Sequence, residues 1–216
     1  MLEWVVSEEP NCRKDTWACE HAARGGHFEA LRWMRSQDPP VPYDSKCTGA
    51  ASARGDLTML RWLRSQDPPC AFSIYTCANA AWGGHLATLQ WLRSQDPPAP
   101  WNWMCTRYAA GRGDIGMMKW LRSQDPPCPW HVDCTRMAAG SGQLQALKWM
   151  RSQDPPCPWC GGIYGTCWLA AYYGRLEVLK WLMSEGCPWR DKARCKSLAE
   201  RKGHTHVMCW IDEQSD

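Results

Sequence analysis

Cys157-Pro-Trp-Cys160 is the one stretch of this 216-residue sequence whose residue types and spacing suggest covalent or metal chemistry. A CxxC can work as a redox dithiol, or supply half of a zinc site that needs four Cys or His ligands. The zinc reading lacks a second CxxC, and Cys167 and Cys187 are the only nearby additions. The redox reading lacks the βαβ pattern in which such a dithiol sits. A plainer account is at hand. Cys157 follows Pro-Pro just as Cys70 and Cys128 do, so it holds a position of a repeat and Cys160 is one extra thiol. No metal and no cofactor is expected.

His27, His85 and His204 each follow a Gly, where other copies of the same pattern carry Asp56, Asp114, Gln143 and Arg175. These residues share only polarity, and their place before an apolar run fits the capping of a helix. No Ser/His/Asp set, carboxylate pair or phosphate-cradling Gly loop stands out, so neither an enzyme nor a small-molecule substrate is expected. Two rows of cations lie close to Trp: Arg32, Arg61, Lys119, Lys148 and Lys180, then Arg35, Arg64, Arg93, Arg122 and Arg151. Backbone tracking plus base stacking is how single strands are held, so nucleic acid is an alternative partner. The simpler reading is that cations at helix C-termini complement the dipole, with the Asp of each RSQD close by. A net charge of +3 calls for no polyanion.

A repeat positions all of these residues. RSQDPP begins at each Arg of the second row, and a Trp stands two residues before it: Trp33, Trp62, Trp91, Trp120 and Trp149, 29 residues apart. Trp4 lies 29 residues before the first, Trp181 32 after the last and Trp210 29 beyond that. A fixed period of this size marks an architecture whose units bury their apolar faces only against neighbours. The expected division is a single array over 1–216. It comprises a partial repeat at 1–12, repeats at about 13–40, 41–69, 70–98, 99–127, 128–156 and 157–186, and a polar capping repeat at 187–216.

Each unit reads as helix, tight turn, helix and extended loop. Ala stands eleven residues before every ladder Trp from Trp33 on, as at Ala51 and Ala80, where a small side chain permits close helix approach. Gly stands seven before it, as at Gly55 and Gly84, which fits a helix end with positive φ. Leu86, Leu89 and Leu92 then mark one helical face, and Asp-Pro-Pro must end it. Ser45, Thr76, Asp133 and Thr166 are the expected N-caps. With 16 Trp against 2 Phe, the ladder Trp are expected to carry the core, each burying about 150–250 Å².

Cys19, Cys47, Cys77, Cys105, Cys134, Cys167 and Cys195 hold one equivalent position. Stacked helices set such positions about 8–10 Å apart, beyond the roughly 7 Å Cα limit of a disulfide, so buried reduced thiols are expected. MLEWVVSEEP has no basic n-region or long apolar core, and no apolar run approaches a membrane span. An intracellular, cytoplasmic, monomeric protein without membrane contact is expected.

Ala81-Trp-Gly-Gly-His-Leu86 and Ala171-Tyr-Tyr-Gly-Arg-Leu-Glu-Val-Leu-Lys-Trp-Leu182 resemble the ankyrin repeat over nearly the whole chain, in the Ala, the Gly-His pair and the apolar positions of the second helix. The TPLH signature is replaced by Thr76-Cys77-Ala78-Asn79, and the period is 29 rather than about 33. The resemblance implies an all-α ankyrin-like helix-turn-helix repeat solenoid with short Pro-rich loops. A leucine-rich repeat is the competitor, through Leu57, Leu60 and Trp62, but its required Asn is Ser in every copy.

The resemblance also implies a non-catalytic scaffold that binds a partner protein on its concave face. The residues just before the turn Gly vary from copy to copy, as a binding surface does while its frame stays fixed. The resemblance places them on that face. Arg24, Arg54, Trp82, Arg112, Tyr172 and Tyr173 are the candidate contacts, with Trp103 as loop support. Aromatic residues after Pro-Pro (Tyr43, Phe72, Trp101, Trp130, Trp159 and Trp189) form a second ladder expected to pack between repeats.

Overall fold

A computed structural model describes residues 15–162 and 164–214, and all regular structure among them is α-helical. The partial repeat expected over 1–12, with Trp4, lies outside the described residues. Two compact units are divided between Trp101 and Asn102.

The first unit holds three helix pairs: α1 (Thr16–Gly25) with α2 (Phe28–Arg35), α3 (Ser45–Arg54) with α4 (Leu57–Arg64), and α5 (Ile74–Gly83) with α6 (Leu86–Arg93). The second holds four: α7 (Met104–Arg112) with α8 (Ile115–Arg122), α9 (Val132–Ser141) with α10 (Leu144–Arg151), α11 (Thr166–Tyr172) with α12 (Leu176–Ser184), and α13 (Lys192–Arg201) with α14 (Thr205–Glu213). Within the first unit α3 packs on both α1 and α5. Within the second, α9 packs on α7 and α11, and α11 on α13. The fully buried Ala51, Ala80, Ala109, Ala138 and Ala170 leave room for that approach.

The turn between the helices of a pair follows from its Gly. Gly55 has φ +72° and Gly84 +82°, left-handed values that favour a residue without a Cβ. The next residue then donates its N–H back to the carbonyl of the recurring Ala: Asp56 to Ala51 at 3.0 Å, His85 to Ala80 at 2.9 Å, Arg175 to Ala170 at 2.8 Å. This closes the orphan carbonyls of the helix end.

The helix starts lie upstream of the expected N-caps. Asp44, not Ser45, accepts from the backbone of Lys46, and Ser73 caps α5. Thr76 is instead the third residue of that helix and accepts from the Ser73 N–H at 3.0 Å, completing a capping box. His131 caps α9 two residues before Asp133, and Gly165 precedes Thr166 without a side-chain cap. A cap must sit outside the helix, and at three of the four starts an upstream polar side chain takes that place.

The core also differs from expectation. Leu60, Leu63, Leu89, Leu92, Leu121, Leu147, Leu179 and Leu182 are fully buried together with Met59, Met117, Met118 and Met150. Trp33, Trp62, Trp91, Trp120, Trp149, Trp181 and Trp210 are only half-buried. Trp149 meets Trp130 edge-on at 6.1 Å between ring centroids, Trp91 meets Phe72 at 6.3 Å, and Trp181 meets Trp159 at 6.0 Å. The second aromatic ladder thus packs the loop ahead of a repeat's first helix onto the second helix of that repeat.

Candidate functional site

RSQDPP is a helix terminator built from side chains. In all five copies the Ser hydroxyl donates to the ladder Trp carbonyl at 2.9 Å. The Gln amide donates to the same oxygen at 2.9–3.2 Å. Each Arg then crosses the loop, and its Nη1 donates to the carbonyl of Val41, Cys70, Ala99, Cys128 or Cys157 at 2.8–2.9 Å. The same guanidinium lies 4.1–4.9 Å from the ring centre of Tyr43, Phe72, Trp101, Trp130 or Trp159. The Arg therefore partners a carbonyl and a ring, and among the described residues no Asp of RSQDPP forms an ion pair. Arg32, Arg61, Lys119, Lys148 and Lys180 remain exposed.

The residue after the turn Gly divides by chemistry. Asp56 and Asp114 cap the second helix, accepting from Met59 N–H at 2.9 Å and Met117 N–H at 2.8 Å. His85, His204 and Arg175 reach instead to the preceding repeat. His85 Nε2 lies 3.2 Å from the Ala53 carbonyl and His204 Nε2 3.1 Å from that of Tyr172, while Arg175 Nε donates to Gly140 at 3.1 Å. Donation to a carbonyl places the proton of each His on Nε2. These side chains staple adjacent first helices. His27 and Gln143 make no side-chain cap.

Five of the seven candidate contacts are exposed, within two residues of the C-terminal ends of first helices. In the first unit these are Arg24, Arg54 and Trp82, on the successive helices α1, α3 and α5. Trp82 is 59% exposed. The Arg24 guanidinium pairs with Glu20 at 2.6 Å, and Arg54 Nη1 donates to the Arg24 carbonyl at 3.4 Å, so the two Arg are neighbours. In the second unit Arg112 and Tyr173 are exposed, Tyr173 by 50%.

Tyr172 and Trp103 are half-buried. Tyr172 stacks on Trp168 at 5.1 Å and lies under the Lys202 ammonium at 4.8 Å. Trp103 stacks on His131 at 4.1 Å, at the N-terminal end of α7. Arg112 is at the other end, about 13 Å away along nine residues at about 1.5 Å each, so these two are not brought together. Sequence comparison missed Trp17 and Tyr75, exposed by 59% and 55% near the start of α1 and α5. Their signal was an aromatic residue at a helix N-terminus that no apolar periodicity required.

The CxxC does not act as one unit. Cys157 is buried, and its Sγ donates to the His131 carbonyl at 3.7 Å. Cys160 is half-buried and holds the start of α11, its N–H on Thr166 Oγ1 at 3.3 Å and its carbonyl on Thr166 N–H at 3.0 Å. Among the described residues no three His, Cys, Asp or Glu side chains are grouped to hold a metal. No described helix is long and apolar enough to cross a membrane. No protein-family model matches the chain, and no curated protein matches it.

Proposed function

We propose that the chain is an ankyrin-type repeat solenoid that works as a non-catalytic scaffold, binding a partner protein through the variable residues at the ends of its first helices. One observation carries the reading: Arg24, Arg54 and Trp82 stand exposed on successive stacked helices, at positions where the frame around them is repeated and they are not. Exposed Trp, Tyr and Arg are the side chains that dominate interface energetics. The cationic and aromatic character of the set favours a partner with an acidic or mixed surface. Nucleic acid is the weaker reading, because five of the ten cations in the Trp-flanking rows are committed to carbonyls and rings of their own loops.

The test is affinity capture from native lysate with the wild-type chain and with a Trp82→Ala, Tyr173→Ala variant whose circular dichroism matches it. Proteins retained by the first and lost by the second support the proposal. Identical captures by both would reject these residues as the contacts, and salt-sensitive retention of nucleic acid alone would reject the scaffold.

A further inference from the structure

The first helices of the second unit carry a net positive charge, and their cations are unevenly matched. α13 holds Lys192, Arg194, Lys196 and Arg201 against Glu200, while α11 beside it has no charged residue. On α9, Arg136 pairs with Asp133 at 2.8 Å, and on α13 Lys196 pairs with Asp212 at 2.7 Å. Arg194 and Lys202 have aromatic rings in place of a carboxylate. The Arg194 guanidinium lies 4.8 Å from the ring centre of Tyr164 and donates to its hydroxyl at 3.0 Å. The Lys202 ammonium lies 4.8 Å from the ring centre of Tyr172. Among the described residues neither cation forms an ion pair.

Trp168 joins the two ends. Its ring meets Tyr164 edge-on at 5.1 Å and stacks on Tyr172 at 5.1 Å, so Arg194, Tyr164, Trp168, Tyr172 and Lys202 form one row beside α11. The row lies at the surface: Tyr164 is 48% exposed, Lys202 is exposed, and Trp168 and Tyr172 are half-buried. Trp168 Nε1 has no hydrogen-bond partner, which leaves an unmatched donor at the centre. Every unmatched group of the row thus calls for an acceptor or an anion. A nucleic-acid strand would need free ring faces for its bases. Here Arg194 and Lys202 lie over Tyr164 and Tyr172, and Tyr172 is stacked on Trp168. Length narrows the choice further. Arg194 and Lys202 are eight residues apart along α13, about 12 Å at about 1.5 Å each. In an extended chain, side chains at i, i+2 and i+4 point to one side and cover about 13 Å.

We propose, resting on the reading that the chain binds a partner protein, that this row receives an extended acidic segment of that partner. Two carboxylates four residues apart meet Arg194 and Lys202, and an apolar side chain midway between them lies on Trp168. The probe is a fluorescein-labelled peptide containing Glu-Ala-Leu-Ala-Glu, titrated with the full chain and read by fluorescence anisotropy. Saturable binding is expected. Lys202→Gln should weaken it about threefold and the pair Arg194→Gln, Lys202→Gln about tenfold, as should replacing both Glu of the peptide by Gln. Lys202 is exposed, so its single variant keeps the test valid if the pair disturbs folding, which the urea midpoint checks. No saturation at about 1 mM chain would overturn the proposal. So would equal binding by wild type and both variants, or preference of the chain for a labelled oligo-dT strand. Failure of the scaffold reading looks different: wild type then captures no protein from lysate. Captured proteins that bind wild type and the Arg194→Gln, Lys202→Gln chain alike would overturn the role of this row and leave the scaffold standing.

Discussion

Replacing Arg122 by Met should destabilise the second unit by about 2–4 kcal/mol, although the residue lies on a helix surface. The loss has two parts. The Nη1 bond to the Cys128 carbonyl, 2.8 Å long, has a charged donor, and removing it leaves the oxygen of a buried residue unmatched. Such a bond is worth about 1.5–3 kcal/mol. The guanidinium also lies 4.9 Å from the Trp130 ring centre, a contact worth about 0.5–1 kcal/mol. Met preserves the length of the aliphatic stem, so the difference reports the head group. Lys119→Met is the control: the side chain is exposed on the same helix, and its loss should stay within about 0.5 kcal/mol. Arg122→Lys should fall between, because a point ammonium cannot both reach the carbonyl and lie flat on the ring. Urea unfolding followed by circular dichroism reads the effect as a midpoint about 1 M lower, at about 2–3 kcal/mol per M. If Arg122→Met and Lys119→Met unfold within about 0.3 M of each other, the carbonyl-and-ring account of the repeated Arg is wrong.

Gly55→Ala should cost about 1–2 kcal/mol, since φ is +72° and the added Cβ would stand 2.6 Å from His85 Nδ1; Gly162→Ala, with no atom within 4 Å, should be near neutral in the same urea titration. Leu121→Ala removes a fully buried side chain and should cost about 2–5 kcal/mol by that assay. Burial pushes the Cys47 and Cys70 thiols up to about 12 and Cys19 to about 11, so at pH 8 a thiol-disulfide reagent should modify exposed Cys209 well before these three, unless the chain is first unfolded. The same groups fix a sign for alkaline stability. Unfolded thiols ionise near 9.0 while the native ones keep their protons, so the stability they contribute is whole below pH 9 and falls as pH rises toward 12, which a series of urea titrations would show.

The helix pairs, the left-handed Gly and the Pro-terminated second helix were legible because each is dictated within a few residues of sequence. What lay further off was not. His85 looks like a turn residue, yet its bond runs to Ala53 in the previous repeat. Thr48, Thr106 and Thr135 read as ordinary helix residues, yet they are buried and hold loop carbonyls. The ladder Trp has the period of a core residue, but it sits at a helix end where its carbonyl takes the Ser and Gln caps, and its ring is left half-exposed against a loop. Of the candidate contacts, exposure at Trp82 and Tyr173 followed from their variability, whereas Tyr172 next door faces an aromatic stack that one-dimensional spacing cannot distinguish.

The terminator has a consequence for how such a chain can grow. The side-chain hydrogen bonds of each RSQDPP close on the stretch that carries it, as between Trp33 and Val41, so a copied segment arrives with its own stop signal already wired. The staples between repeats join equivalent positions of neighbouring copies instead: His85 to Ala53 and His204 to Tyr172 are 32 residues apart, and Arg175 to Gly140 is 35, across the interval that is three residues longer. Inserting or excising a whole 29-residue copy leaves every such pairing in phase, and the longer interval shows that three extra residues in a loop are absorbed without losing it. The repeat is thus an interchangeable cassette, edited in whole copies with slack taken up in the loop between them.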